Sequence, residues 1–226
     1  MTVRDMGGEM GDDFDLADAY AVETPDDNRD LYARWAATYE SGFIADNGYR
    51  YHLGVAGAFL DAVARADGPV LDVGCGTGLV GEVLRADPRF PGVLDGLDIS
   101  PEMLDEARMK ATADGSPVYA GLHLGDLTAT LGLPEAAYGG VTSCGTFTHG
   151  HVGPDAFDEL YRIARPGALF AIGVNPDHYV VHGFADRFAA DVAAGTITEP
   201  TVRRVPTYGS GPNVDVLSPV TVFRLA

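Results

Sequence analysis

Val70-Leu71-Asp72-Val73-Gly74-Cys75-Gly76-Thr77-Gly78 decides how this chain reads. The first four residues form a short, mostly apolar run of the kind a buried parallel strand requires. Leu79, Val80, Val83 and Leu84 then fall at helical spacing, so the glycines sit where a strand hands over to a helix. That junction lies at the carboxyl edge of a parallel sheet, where such folds bind ligands. Glycine lets the backbone approach a ligand closely, because no Cβ stands in the way. A bare turn needs one glycine, and this one has three in alternation. A dinucleotide site needs G-x-G-x-x-G, but the sixth position counted from Gly74 is Leu79. The phosphate fingerprint therefore fails, and a nucleoside without a pyrophosphate suits the turn.

Outward from this turn the chain alternates between strand and helix patterns. Residues 93–98 read as a second strand, followed by Ser100 as N-cap and Pro101 at the first helical position. Residues 118–124, 141–144 and 168–174 read as three more strands. Phe157, Leu160, Tyr161 and Ala164 mark a helix that Pro166-Gly167 is expected to end. Strands alternating with helices imply βαβ units and a parallel sheet covered on both faces. Phe184, Phe188 and Val192 give one more helix closed by Gly195, and residues 201–208 and 219–225 are two extended segments. Upstream, residues 53–66 form a helix stopped by Asp67-Gly68-Pro69. The expected organisation is an acidic disordered tail over residues 1–12, a helical cap over 13–52 and an α/β domain over 53–226.

The net charge is −18, from 33 acidic and 15 basic residues. Such a surface repels a phosphate backbone and an anionic membrane alike. Nucleic acid and membrane are accordingly not expected as partners. Cys75 and Cys144 make neither a disulfide framework nor a zinc spacing, which points to a reducing, cytoplasmic setting and to no metal site. The longest strongly apolar run, residues 168–174, is too short to span a bilayer.

Two acids end successive strands after the glycine turn. Asp98 can accept hydrogen bonds from ribose hydroxyls, and Asp126 can reach an adenine amino group. Either alone reads equally as a solvated turn aspartate. Tyr32, Trp35 and Tyr39 fall at i, i+3 and i+7, as a packed helix face or as an aromatic lid. His149 and His151 follow the fourth strand, where an imidazole can take a proton near neutral pH. They read as catalytic or substrate-binding residues, or as surface histidines. His178 and His182 could border the same pocket.

With these motifs together, the chain resembles the class I S-adenosylmethionine-dependent methyltransferases over about residues 31–174. The 70–78 stretch is similar to that family's first motif, and Asp98, Asp126 and Pro166-Gly167 sit where its later motifs do. Residues 30–40, Asp-Leu-Tyr-Ala-Arg-Trp-Ala-Ala-Thr-Tyr-Glu, and 143–152, Ser-Cys-Gly-Thr-Phe-Thr-His-Gly-His-Val, also look like the methyltransferase-like proteins of the Williams–Beuren region. The resemblance implies a Rossmann-like α/β fold with seven strands in the order 3-2-1-4-5-7-6, the last antiparallel. It also implies helices on both faces, an N-terminal helical cap covering S-adenosylmethionine, and a small-molecule acceptor.

By the same likeness, Gly74, Cys75, Gly76 and Gly78 line the methionine and ribose side. Asp98, Ile99 and Met103 meet ribose and adenine, and Gly125, Asp126 and Leu127 meet adenine. Cys144 and Gly145 lie beneath the sulfonium, Asp72 holds the methionine amino group, and Tyr32, Trp35 and Tyr39 form the lid. Methyl transfer is an in-line displacement that requires orientation more than a nucleophile. No G-x-S-x-G, P-loop or Asn-Pro-Pro-Tyr stretch is present. Two alternatives remain open from sequence: a non-catalytic module that binds S-adenosylmethionine or S-adenosylhomocysteine, and an aminopropyltransferase using the decarboxylated cofactor.

Overall fold

The computed structural model describes residues 25–45, 48–63, 68–90, 92–148, 152–211 and 213–226. The expected tail and the start of the cap lie outside the described residues.

The first elements among the described residues are α1 (Pro25–Trp35), a π-helical turn (Glu40–Ile44) and α2 (Tyr51–Ala62). β1 (Val70–Val73), α3 (Leu79–Ala86), β2 (Leu94–Asp98), α4 (Pro101–Met109) and β3 (Gly121–Leu124) form the first half of the sheet. β4 (Tyr138–Phe147), α5 (Phe157–Ile163), β5 (Ala164–Val174), α6 (Pro176–Val181), α7 (Phe184–Ala193), β6 (Thr201–Pro206) and β7 (Leu217–Arg224) complete it. The seven strands run in the order β3-β2-β1-β4-β5-β7-β6. β1 to β5 pair in parallel, and β7 pairs antiparallel with both β5 and β6. Order and direction match what the resemblance implied.

Every residue of β1 is buried, as expected of a strand covered on both faces. One face carries an aromatic core in which Phe147 and Phe157 stack at 5.3 Å, with Phe170, Phe184, Phe188 and Phe223 around them. The other packs Val55, Phe59 and Leu60 of α2 against Val70, Leu84 and Leu94. Burying each such side chain contributes roughly 1.5–3 kcal/mol. Ser100 caps α4 by accepting from the Met103 amide at 3.2 Å, with Pro101 at the helix start.

Three strands differ from the sequence reading by three residues or more at a boundary. The third strand begins at Gly121 rather than 118, because residues 118–120 run outside the ladder after a bridge from Ala111 to Pro117. β4 extends in both directions, to Tyr138 and Phe147. β5 starts at Ala164, so Pro166-Gly167 lies inside a strand rather than ending the helix. Ala164 pairs with Tyr138, and the register then shifts before Gly140 meets Leu169. A proline with no N–H and a glycine at φ +81° fit such an irregularity.

Candidate cofactor site

A cleft of about 1000 Å³, counting the solvent at its mouth, opens over the carboxyl ends of β1, β2, β3 and β4. Its floor is the glycine turn. Gly74 sits at φ +62°, and a Cβ there would collide with Thr146 Oγ1, which donates to Val73 O at 3.0 Å. Gly76 sits at φ +53°, where a Cβ would meet no protein atom within 4 Å. The first glycine thus serves the fold, whereas the second borders open cavity.

Asp98 ties this turn to the next βα unit. Its Oδ2 accepts from the Gly76 amide at 2.8 Å and its Oδ1 from the Ser100 amide at 2.9 Å. Burial raises the carboxyl above its usual value, while the amides of Ser100, Gly76 and Ile99 oppose the shift by favouring the charged form. Ile99 and Met103 continue this wall, and Gly125, Asp126, Leu127 and Thr128 form the next one. Asp126 Oδ1 accepts from the amide and the hydroxyl of Thr128, at 2.8 and 2.7 Å.

Cys144 and Gly145 close the β4 side, where Tyr49 Oη lies 3.4 Å from Cys144 Sγ. Burial pushes the Cys144 thiol up to about 12, so it stands there as a neutral thiol. The cap supplies Tyr32, Tyr39, Tyr49 and His52. Lys110, the chain's one lysine, bridges that cap to the domain: it pairs with Glu40 of the π-helical turn at 2.8 Å and with Glu82 of α3.

Three residues expected at the site stand outside the lining. Asp72 shares the face of Val70 in β1, because side chains two apart along a strand point the same way. It is fully buried, accepting from Tyr119 Oη at 2.7 Å and Thr142 Oγ1 at 3.1 Å, and burial pushes its carboxyl up to about 7. It supports the turn from beneath rather than facing a ligand. Gly78 sits behind the turn as the residue that starts α3, at φ +99°. Trp35 packs with Leu31 under Tyr32, its ring 5.9 Å from the tyrosine's. The aromatic pattern therefore divides: Trp35 is core, while Tyr32 and Tyr39 line the cleft.

His149 and His151 lie outside the described residues. His178 is buried and donates from Nε2 to Val152 O at 2.9 Å, beside His182 at 4.1 Å between rings. Neither His178 nor His182 lines the cleft, though Val152 does. Tyr49, His52, Thr77, Thr146 and Val152 line it without having been singled out in the sequence. Thr77 lies inside the glycine motif and Thr146 and Val152 inside the 143–152 stretch, whereas Tyr49 and His52 had no local signal. Among the described residues no three His, Cys, Asp or Glu side chains gather as a metal-ligand set. No helix among them is long and apolar enough to cross a membrane.

The cleft fits a nucleoside with an amino-acid end. Asp98 puts an acceptor carboxylate on the lining, and Gly76 leaves room beside it. Comparison with known proteins agrees. The sequence profile of a family described as "Methyltransferase domain" matches residues 71–172. Human Methyltransferase-like protein 27 is 35% identical over 151 residues, covering 63% of this chain and 55% of that protein. Demethylmenaquinone methyltransferase of Symbiobacterium thermophilum is 32% identical over 101 residues, 45% of this chain and 40% of that protein. The chain thus spans about half the length of these relatives.

Among solved structures, the complex of the Haloferax volcanii Trm112 methyltransferase activator with a methyltransferase aligns over 86% of this chain and 97% of that one. Its TM-score is 0.61 at 21% identity, which speaks for the fold alone. Strand order, glycine turn and matched domain coincide on one sheet edge, and residues 71–172 match the methyltransferase domain family.

Proposed function

We propose that the protein transfers a methyl group from S-adenosylmethionine to a small-molecule acceptor. The observation that carries this reading is the link from Gly76 to Asp98 on the floor of a cleft that the cap also lines. When bound, the cofactor supplies a methyl group on a positively charged sulfur, ready for in-line displacement. Asp98 would orient the ribose, and the wall at Asp126 and Leu127 would receive the adenine. Cys144 and Gly145 would hold the side of the cleft that takes the sulfur, and the rings of Tyr32 and Tyr39, which line it, would give the cation an electron-rich wall. The cap keeps water from the reacting atoms, and orientation provides most of the rate.

The −18 charge supports a small acceptor over a nucleic acid, and two free thiols support a cytoplasmic setting. His149 or His151, following β4, would take the acceptor's proton or hold the acceptor in place. Incubating the protein with methyl-labelled cofactor and a fractionated extract tests the reading. Label is expected in the small-molecule fraction. Label in RNA or protein instead, or none in any fraction while S-adenosylhomocysteine still binds, contradicts it.

A further inference from the structure

Two stacked rings from the cap line the β4 side of the cleft. His52, in the first turn of α2, stacks on Tyr49 at 6.0 Å with 25° between the rings. Tyr49 lies over the far end of β4: its Oη is 3.4 Å from Cys144 Sγ, and a Cβ on Gly145 would stand 3.8 Å from the same oxygen. Tyr32 and Tyr39, with ring centres 6.4 Å apart, also line the cleft. The nucleoside takes the ends of β1, β2 and β3 on the reading above, which leaves the wall of Tyr49 and His52 to the acceptor.

Charge selects the acceptor. Among the described residues, the charged side chains on the lining are Asp98 and Asp126, with neither Lys nor Arg beside them. Lys110 is taken up by Glu40 at 2.8 Å and by Glu82. Burial holds the Tyr39 and Tyr49 phenols well above their ordinary value, so they stay protonated and offer neutral, electron-rich faces. Desolvation lowers the His52 pKa below its ordinary value, so this ring is neutral near pH 7 and adds no positive charge. An anionic acceptor would meet two carboxylates and no counter-charge, which is a costly burial. An ammonium meets ring faces and carboxylates instead, and a chain of net charge −18 attracts it from solution.

We propose that the acceptor is an amine, bound as its ammonium against Tyr49 and His52 and methylated on nitrogen. This rests on the cofactor reading above and names its substrate class. Before transfer the ammonium gives one proton to a neutral imidazole on this side, a task open to His52. The nitrogen lone pair then forms the N–C bond as the C–S bond breaks, and the C–S electron pair stays on sulfur. The methylated amine thus carries the positive charge that the cofactor loses.

Ligand-observed NMR on protein saturated with S-adenosylhomocysteine tests this with probes of matched size: 2-phenylethylamine, 2-phenylethanol and 3-phenylpropanoate. The amine is expected to bind about tenfold more tightly than the alcohol, and the carboxylate more weakly than either. Tyr49→Leu is expected to bring the amine down to the affinity of the alcohol, whereas Tyr49→Phe, which keeps the ring, stays near wild type. Unchanged binding of S-adenosylhomocysteine and of the alcohol reports that the variants are folded. An alcohol or carboxylate that binds wild type as tightly as the amine overturns the amine proposal and leaves the cofactor reading standing. So does binding of none of the three probes, or an equal loss of amine and alcohol in Tyr49→Leu. Failure of the wild type to bind S-adenosylhomocysteine overturns the cofactor reading, and the amine proposal with it.

Discussion

The Gly76 amide donates to Asp98 Oδ2 at 2.8 Å, joining the turn after β1 to the end of β2 across 22 positions of sequence. One carboxylate therefore holds the glycine turn in shape and presents its edge to the cleft. The two tasks can be separated by substitution, and the following outcomes are expected.

Gly74→Ala and Gly76→Ala should fail differently. Both glycines have positive φ, and alanine there costs about 1–2 kcal/mol. At Gly74 the new Cβ also strikes Thr146, adding to the loss. At Gly76 it projects into open cavity, so the variant should lose affinity for S-adenosylhomocysteine beyond its modest loss of stability. Urea denaturation alongside calorimetry separates the two. Equal stability losses with equal affinities would contradict the division of roles.

Asp72→Asn should change how stability depends on pH. Burial pushes the folded carboxyl up to about 7 from an ordinary 3.8, so the folded state binds a proton that the unfolded chain releases. Stability then falls as pH rises between about 4 and about 7, and above that window the buried charge costs roughly 4 kcal/mol. The asparagine variant has no such proton to lose. It should therefore be the more stable protein at pH 8, with the gap closing towards pH 4. Parallel stability curves would refute this reading.

How much of this was visible in the sequence depends on how local each feature is. The glycine turn and Asp98 were legible because a strand run, a turn and a helix period stand side by side in one stretch. Asp72 misled because its sheet face is chosen by Tyr119 and Thr142, which are 47 and 70 positions away. Pro166-Gly167 looked like a helix stop, yet pairing of Ala164 with Tyr138 draws it into β5. Tyr49 and His52 gave no signal because long-range contacts bring them to the cleft. Tyr49 bridges to Tyr208, and the Arg50 amide bonds Thr207 O at 2.9 Å.

Lys110→Met should loosen the cap. Removing the ammonium leaves Glu40 and Glu82 without the cation that joins them. Both glutamates are about 40% exposed, so the link is worth about 1 kcal/mol or less. Release of S-adenosylhomocysteine should therefore quicken by up to roughly fivefold. Stopped-flow emission from Trp35, the chain's one tryptophan, can follow it. An unchanged release rate would show that the link does not hold the cap.

His149→Ala and His151→Ala address the acceptor side. Loss of a general base lowers turnover by about 10²–10⁴ while leaving cofactor affinity near wild type. A histidine needed only for folding would instead lower stability and leave the folded fraction active. If both variants keep full turnover with the acceptor found by labelling, orientation alone accounts for the transfer.

Calorimetric titration of S-adenosylhomocysteine into the wild type, Asp98→Ala and Asp95→Ala tests the cofactor site most directly. Asp98 lines the cleft, whereas Asp95 lies outside it and accepts from Tyr138 Oη at 3.2 Å. The wild type should bind. Asp98→Ala should lose roughly 1.5–3 kcal/mol, more than tenfold in affinity, and Asp95→Ala should stay near wild type. No binding by the wild type, or equal affinities for all three proteins, would contradict the placement of the cofactor at these strand ends.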